Sequence, residues 1–241
     1  MFYVSAGMPR AGSGWFYNIM HDLVVAMGGE DAREIRRRFL LQPILTEINC
    51  NIRILSGPRV AVVGVPVVLG ERFVIKTHSG PQRLARWLIG RGWMKVAYIY
   101  RDPRDAALSA YEYGKRMREA GRSNAFSHLE TIEQALYFMV PYLDIWAQWM
   151  ALPQVLKMRY EDLRSHFDRE VERLAQFLGM PEGHPALDEV RQRYRPGVKT
   201  GHRGLHFHKG EVARFRQVFT PEQQALSQQL FGDYLQRMGY A

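Results

Sequence analysis

The sequence predicts an α/β protein with a central, mainly parallel sheet flanked by helices. Short apolar runs alternate with longer segments of helical periodicity along the chain, and this alternation is typical of parallel strands joined by helices. Glycine-rich or polar clusters follow the apolar runs, as expected where strands end at a ligand-binding edge. The chain has 241 residues, 46% of them apolar, so we expect a single domain over residues 1–241.

Four apolar runs are predicted to be the strands of this sheet. Residues 1–6 lead directly into a loop with glycine and proline, and residues 72–77 and 95–100 each stop at a polar cluster. A shorter run, residues 155–158, precedes the cluster Arg-Tyr-Glu-Asp. β-branched and aromatic residues favour strands at these positions. Because ligands of parallel sheets bind outside the carboxyl ends of the strands, we expect the polar clusters to converge.

Apolar residues spaced three and four apart predict helices between and after the strands. Pro103 suits the first turn of one helix, and Gly179 is a natural stop for another. Pro141 leaves open whether the longest segment is one helix or two. The segment with Pro141 covers residues 128–150, the helix before Gly179 covers residues 168–178, and two further predicted helices cover residues 15–27 and 33–38. The arginine-rich run in residues 33–38 indicates a solvated helix face, with contact to an acidic partner as the alternative.

The remaining bulk features concern compartment and partners. The most apolar later stretch, residues 60–69, has about half the length of a membrane-spanning helix, so it is predicted to be buried core rather than a membrane contact. No export leader is recognised at the start of the chain. Cys50 is the single cysteine, which fits a reducing, cytoplasmic location. The net charge of +9 indicates an acidic partner such as nucleotide phosphates, nucleic acid or an anionic surface.

Residues 7–15 form a glycine-rich loop between the first predicted strand and the first helix. Small residues let the backbone curl so that amide N–H groups and the helix N-terminus face an anion. ATP-binding loops place Lys-Ser or Lys-Thr after the second glycine, whereas Ser13 and Gly14 follow Gly12 here. The loop therefore predicts a phosphate site and argues against the alternative of a P-loop kinase or nucleotide hydrolase.

Five motifs together resemble the sulfotransferase family in their order and separations. They are the glycine-rich loop, Lys76-Thr77-His78, Arg101-Asp102-Pro103-Arg104-Asp105 with Ser109, Arg159-Tyr160-Glu161-Asp162-Leu163, and His208-Lys209-Gly210. The resemblance extends from residue 3 to about residue 225. It implies a P-loop-like three-layer sandwich and a metal-free enzyme that takes a sulfuryl group from 3′-phosphoadenosine 5′-phosphosulfate (PAPS). The family places this group on an alcohol, phenol or amine and releases adenosine 3′,5′-bisphosphate (PAP).

The resemblance also implies which residues bind the nucleotide donor. Arg101 and Ser109 match the pair that holds the 3′ phosphate, and a strand end followed by two helical turns brings both within reach of one phosphate. Tyr160 matches the tyrosine beside the adenine, with Trp15 as the second aromatic wall. The loop for the 5′ phosphosulfate corresponds to Arg10, Ala11, Gly12, Ser13, Gly14 and Trp15, and the segment that closes on the 3′ phosphate corresponds to His208, Lys209 and Gly210.

Three residues are implied to act in the chemical step. His78 would remove the proton of the acceptor hydroxyl, a role that suits a side chain whose unperturbed pKa lies near working pH. Lys76 alternates with His78 at a strand end, so both side chains project to one side, and Lys76 would orient the acceptor and stabilise charge. Arg10 stands where the family has lysine and would supply positive charge to the oxygen that bridges phosphate and sulfate.

Other interpretations remain open from the sequence. His202, His206 and His208 have a spacing that can satisfy zinc, and the charge also suits a basic module that binds nucleic acid or heparin-like polyanions. Under the sulfotransferase interpretation, we expect a small organic or lipid-like acceptor and no nucleic-acid partner. The acceptor pocket would be lined by residues 35–69, 111–126 and 197–206. The family's dimer motif has lysine, then threonine-valine, then glutamate. Arg216, Thr220-Pro221 and Ala225 stand at these positions, which argues against that dimer and leaves the oligomeric state open.

Overall fold

The computed structural model describes residues 1–198 and 211–240. Its central sheet contains β1 (Phe2–Gly7), β2 (Phe73–Thr77), β3 (Met94–Tyr100) and β4 (Leu156–Arg159). The strand order is β2-β1-β3-β4, and every pairing is parallel. The predicted α/β class with a parallel central sheet is confirmed, and each strand begins and ends within one residue of its predicted position.

Eleven helices connect and cover these strands in the part of the chain that the structure describes. They are α1 (Ser13–Ala26), α2 (Ala32–Arg38), α3 (Gly57–Val68), α4 (Arg83–Gly90), α5 (Pro103–Glu119), α6 (Ile132–Met150), α7 (Tyr160–Ser165), α8 (Phe167–Leu178), α9 (Ala186–Tyr194), α10 (Phe215–Val218) and α11 (Pro221–Met238).

The helix that contains Pro141 is continuous. Helix α6 begins at Ile132, four residues later than predicted, because the Thr131 side chain accepts a hydrogen bond from the Gln134 N–H and caps the helix there. The predicted stop of α8 is confirmed, since Gly179 adopts the left-handed conformation with φ of 95°. Sequence periodicity missed several elements, among them α4, α9 and α11.

Two apolar layers cover the two faces of the sheet. On one face Phe16, Leu23 and Leu174 pack against strand residues such as Val74 and Ile99. The other face carries the larger cluster, in which Val4, Phe73 and Val96 pack with side chains of α6 and α11. Successive strand residues thus point to opposite layers, and the helices on both sides leave only the ends of the strands open to a ligand.

Residues 60–69, which the sequence predicted to be buried core, are only half buried. Val60, Val63 and Pro66 face the core at every third position of α3. Val68 and Leu69 are 86% and 67% exposed. Periodicity cannot identify the outward face of a helix that is apolar all round, so the prediction of full burial was wrong. No described helix has the length and apolar character needed to cross a membrane.

Candidate active site

The polar clusters converge on one cavity at the carboxyl ends of the strands. The cavity has a volume of about 310 Å³ and is lined by segments that follow all four strands. Ala11, predicted to bind the donor, is fully buried behind it. His208, Lys209 and Gly210 lie outside the described residues, as do His202 and His206. The predicted site residues that line the cavity are Arg10, Gly12, Ser13, Gly14, Trp15, Lys76, His78, Arg101, Ser109 and Tyr160.

The glycine-rich loop turns sharply into α1. Gly12 has φ of 72°, a left-handed conformation that glycine adopts without strain. An added Cβ at Gly12 would lie 2.8 Å from the Tyr160 ring, so the loop backbone and the ring are in close contact. No described side chain caps the N-terminus of α1. The backbone N–H groups of the first turn and the helix dipole therefore suit an anion at this corner of the cavity.

Arg10 crosses the cavity toward α5. Its Nε donates a hydrogen bond to Ser109 Oγ over 3.2 Å. The guanidinium carbon lies 4.5 Å from the centroid of the Tyr113 ring and 5.6 Å from that of Phe126. Burial lowers the pKa of Arg10 to about 10, which still leaves the side chain charged near neutral pH. Arg10 thus brings a positive charge to the residue that the resemblance assigns to the 3′ phosphate.

His78 is held in one orientation by the end of β1. Its Nδ1 lies 2.6 Å from the carbonyl oxygen of Gly7. A carbonyl oxygen accepts, so Nδ1 carries the proton and donates, and in the neutral ring Nε2 keeps its lone pair. Burial, together with the charges of Lys76 and Arg10, lowers the pKa of His78 to about 3. The imidazole is therefore neutral at physiological pH, with one nitrogen able to accept a proton.

Lys76 lies beside His78 in the same cavity. Its side chain is 6% exposed, and burial, with the nearby charge of Arg10, lowers its pKa to about 8. Both causes disfavour the charged form, and a bound anion would offset them. The strand end therefore pairs a neutral base with an ammonium group that is still mostly protonated near neutral pH.

Arg101 and Asp105 join β3 to the segment that begins at Glu211. Arg101 Nη2 donates to Asp105 Oδ2 over 3.2 Å and to the Glu211 carbonyl oxygen over 2.6 Å. The Asp105 carboxylate also accepts from the backbone N–H groups of Ala213 and Phe215, over 2.7 and 3.1 Å. Sequence reasoning assigned no role to Asp105. Its position four residues after Arg101, on the first turn of a helix, is the signal for this ion pair.

The two aromatic residues expected at the adenine meet edge to face. The ring centroids of Trp15 and Tyr160 are 6.3 Å apart, with an angle of 74° between the planes. Trp15 stacks instead on Phe167, and its Nε1 donates to the Tyr194 carbonyl oxygen over 2.9 Å. The two rings therefore do not form parallel walls. The guanidinium of Arg101 lies 4.5 Å from the centroid of the Tyr160 ring.

The segments expected to line the acceptor pocket bring more polar groups to the cavity than the sequence indicated. Of the segments expected there, residues 35–69 contribute Asn49, and residues 111–126 contribute both charged and aromatic side chains. Glu112 forms an ion pair with Arg214 over 2.6 Å. The lining residues to which sequence reasoning assigned no role are Asn49, Asp105, Glu112, Arg116, Asn124, Ala125 and Glu211. The described residues contain no group of three side chains suited to a metal ion.

The fold has counterparts among solved structures. Mouse sulfotransferase SULT7A1, solved in complex with PAP, superposes with a TM-score of 0.61 over 98% of this chain and 84% of its own, at 16% sequence identity. Retinol dehydratase, solved with androsterone and inactive cofactor PAP, gives a TM-score of 0.61 over 97% of this chain and 80% of its own, at 15% identity. At such identities the likeness concerns the fold, which is the P-loop-like fold of the sulfotransferases.

Sequence comparisons agree over most of the chain. Cytosolic sulfotransferase 3 of Arabidopsis thaliana is 25% identical over 91% of this chain and 72% of its own length. Human sulfotransferase 1E1 is 28% identical over 123 residues, which are 48% of this chain and less than half, 41%, of the human protein. The sulfotransferase domain family matches residues 4–239. The chain belongs to the sulfotransferase family.

Proposed function

We propose that this protein transfers a sulfuryl group from PAPS to a hydroxyl or amine of a small organic acceptor, with His78 as the base. The observation that carries the proposal is that His78, whose Nε2 makes no hydrogen bond to a described residue, lines the same cavity as the cations Arg10, Lys76 and Arg101. Such a cavity can receive a polyanionic donor and a neutral acceptor side by side. Solved relatives in this family are bound to PAP.

Four features support a fit to the donor. Gly12 opens a turn against Tyr160 in which a larger residue would collide, and the N-terminus of α1 offers backbone N–H groups beside it. Arg101 Nε is buried and has no hydrogen-bond partner among the described residues. A buried donor of this kind needs an acceptor, and a phosphate oxygen would satisfy it. The mutual repulsion of Arg10, Lys76 and Arg101 would likewise be relieved by phosphate charge.

The proposed reaction begins at His78. When bound, PAPS supplies the sulfuryl group, and PAP is the leaving group. His78 Nε2 takes the proton of the acceptor hydroxyl while the acceptor oxygen forms a bond to sulfur and the bond from sulfur to the phosphate oxygen breaks. The Gly7 carbonyl keeps the proton on Nδ1, so the nitrogen that faces the acceptor is the basic one. The ring is neutral at physiological pH, and the negative charge of bound PAPS would raise its low pKa toward the range in which a general base acts.

Lys76 and Arg10 stabilise the negative charge that gathers on the departing phosphate oxygen. Electrostatic groups held in place before the reaction act most strongly where water is excluded. Lys76 is almost fully buried, and Arg10 is fixed by Ser109 and by the Tyr113 ring. Both cations are thus oriented without reorganisation during the step.

The acceptor class follows from the side of the cavity beside His78. Tyr113 and Phe126 give an aromatic wall, whereas Asn49 and Arg116 add polar groups. The described cavity is small, about 310 Å³. We therefore assign to the acceptor a small aromatic or aliphatic body with its hydroxyl or amine directed at His78 and a second polar group directed at Arg116 or Asn49.

Calorimetric titration with PAP tests donor binding. Wild-type protein is expected to bind PAP, and Arg101→Ala is expected to weaken binding by at least about tenfold, because hydrogen bonds to a charged group contribute roughly 1.5–3 kcal/mol. Lys115→Ala is the matched control, since Lys115 is an exposed cation of α5 outside the cavity. Absence of PAP binding by the wild-type protein would overturn the proposal.

Turnover is tested by incubating PAPS and the enzyme with alcohols, phenols and amines and detecting the added sulfuryl group by mass spectrometry. The expected product forms with wild-type protein and is lost in His78→Ala, while PAP binding by this variant persists. Product formation that survives His78→Ala at the wild-type rate would remove His78 from the role of base.

A further inference from the structure

A second cavity lies at the other end of the sheet. It is a groove of about 630 Å³, lined by Met1, Phe2, Val65, Val68, Leu84 and Trp93 among other apolar residues. Phe2 begins β1, and Trp93 directly precedes β3. The groove is therefore at the amino ends of the strands, roughly 20 Å from the catalytic edge for a strand of this length. None of its lining residues belongs to the candidate active site.

The groove is bordered by large apolar side chains in contact with solvent. Val68 and Leu69 at the end of α3 are 86% and 67% exposed, and Trp87 and Trp93 around α4 are 48% and 58% exposed. The two tryptophan rings meet edge to face, with centroids 5.2 Å apart. We name this set, together with Val65, the amino-edge surface. Contiguous apolar exposure of this kind marks an interaction site.

The charged groups beside the amino-edge surface are mostly basic, and the acidic Glu71, which follows Leu69 by two residues, is paired with Arg38. Helix α4 and its C-terminal cap carry Arg83, Arg86 and Arg91, and the sequence has no aspartate or glutamate between residues 72 and 101. Arg83 and Arg91 are exposed. The guanidinium of Arg91 lies 5.6 Å from the centroid of the Trp87 ring. Exposed tryptophan, aliphatic side chains and arginine are thus combined on one short helix and its neighbour.

We propose that the amino-edge surface docks onto an anionic lipid bilayer. Aliphatic side chains at Val68 and Leu69 would enter the acyl boundary, and tryptophan rings favour the headgroup level. Arg91, whose guanidinium lies against the Trp87 ring at the border, would meet lipid phosphates. A second copy of the chain fits less well, because a two-fold contact through this surface would bring Arg91 of each copy toward the other.

This orientation leaves the catalytic cavity facing water, because the cavity lies at the carboxyl ends of the same strands. A polyanionic nucleotide would then exchange with solution while the protein remains on the membrane. Membrane docking and turnover therefore use separate surfaces. A substitution on one surface can abolish its activity and leave the activity of the other surface intact.

Co-sedimentation with vesicles tests the proposal. The full chain is expected to bind phosphatidylcholine vesicles that contain phosphatidylserine, and to bind pure phosphatidylcholine vesicles at least about tenfold more weakly. The double variant Val68→Ser/Leu69→Ser and the variant Arg91→Glu are each expected to lower binding to the anionic vesicles by at least about tenfold. Lys115→Glu on α5 and Tyr137→Ser on α6 are controls, since both residues are exposed and lie outside the surface.

Thermal unfolding of each variant verifies that it folds, since the substituted side chains are exposed in the native state. Failure of the wild-type chain to bind anionic vesicles would overturn the proposal. Equal losses in the control variants would also overturn it, because binding would then depend on net charge or apolar content alone. Concentration-dependent dimerisation that Val68→Ser/Leu69→Ser abolishes, without vesicle binding, would identify a second copy as the occupant instead.

Discussion

Arg10 donates a hydrogen bond from Nε to Ser109 Oγ over 3.2 Å, which joins the loop after β1 directly to α5. The loop cation therefore touches the residue to which the family resemblance assigns the 3′ phosphate. Its planar guanidinium also stacks near the Tyr113 ring, an arrangement that an ammonium group does not reproduce. One side chain thus links the two phosphate corners of the proposed donor site, and its removal should affect both binding and chemistry.

Arg10→Ala is expected to lower kcat at saturating donor on the order of 10²–10³-fold, because a preorganised cation near the leaving oxygen is lost. Arg10→Lys keeps the charge but lacks the planar fork that contacts Ser109 and Tyr113 together, so it should lose less than the alanine variant without reaching wild-type turnover. Steady-state kinetics over a range of PAPS concentrations measures both. Wild-type turnover by Arg10→Ala, with Lys115→Ala as the control, would exclude Arg10 from the chemical step.

The pH dependence of kcat/KM should be flat on its acid side. Because the pKa of His78 is lowered to about 3, the free enzyme keeps its base neutral from about pH 7 down to about pH 5. On the alkaline side the rate should fall above about pH 8, where Lys76 loses its proton. An acid limb centred near the ordinary histidine pKa of 6.5 would contradict the neutral ring that the structure gives His78.

Stability in mild acid provides an independent measure of the same group. The unfolded chain has an ordinary histidine pKa of 6.5, whereas the folded value is about 3. Between these values the unfolded state binds a proton that the folded state does not, so the free energy of unfolding falls as pH falls. His78→Gln lacks this titration and should lose less stability than wild type between about pH 7 and about pH 4.5. Urea denaturation at both pH values measures the difference, and equal losses would show that folding does not hold His78 in its neutral form.

The sequence predicted most of what depends on neighbours along the chain. The strands and the Gly12 turn were identified because the periodicity of side chains and the conformational freedom of glycine are local properties. Because parallel strands end at one shared edge of the sheet, the sequence also implied that Lys76, His78 and Arg101 converge. The nucleotide and the transfer reaction came from the motif resemblance, and family membership now supports them.

Features set by distant partners could not be predicted in this way. The contact of Arg10 with Ser109 spans 99 positions, and the stacking of Trp15 on Phe167 depends on where α8 packs. The burial of residues in α3 could not be predicted for the same reason. Its residues are almost all apolar, and only packing against the rest of the protein decides that Val63 is buried and Val68 exposed. Tertiary packing, not composition, fixed these three outcomes.

Asp105 should act as a positioning residue for donor binding. It holds the backbone of Ala213 and Phe215 and accepts from Arg101, so Asp105→Asn weakens charge-assisted hydrogen bonds on both sides. Because such bonds contribute roughly 1.5–3 kcal/mol, the donor KM and the Kd for PAP are expected to rise by at least about tenfold, with a smaller change in kcat. Asp144→Asn, on the exposed part of α6 where Asp144 contacts Tyr234, is the control.

A merely structural role for Asp105 would predict a different pattern. Lost stability without a specific contact would lower kcat and the folded fraction together and leave the Kd of the folded molecules for PAP unchanged. Thermal unfolding with and without PAP separates the two cases, since a ligand that binds less tightly raises Tm less at the same concentration. An unchanged PAP-induced rise in Tm for Asp105→Asn would remove Asp105 from the donor site.

Alanine substitutions at Gly12, in the glycine-rich loop, and at Gly64, inside α3, form a test and its matched control. At Gly12 an alanine Cβ would lie 2.8 Å from the Tyr160 ring, at a backbone φ of +72°, and a left-handed alanine costs roughly 1–2 kcal/mol before any steric cost is added. At Gly64, inside α3, nothing lies within 4 Å of an added Cβ, so alanine should stabilise the helix by roughly 0.5–1 kcal/mol.

Gly12→Ala is therefore expected to lower Tm and weaken PAP binding, because Tyr160 must move. Gly64→Ala should raise Tm and leave the Kd for PAP unchanged. Equal responses of the two variants would mean that the close contact between the loop and Tyr160 contributes nothing to the site.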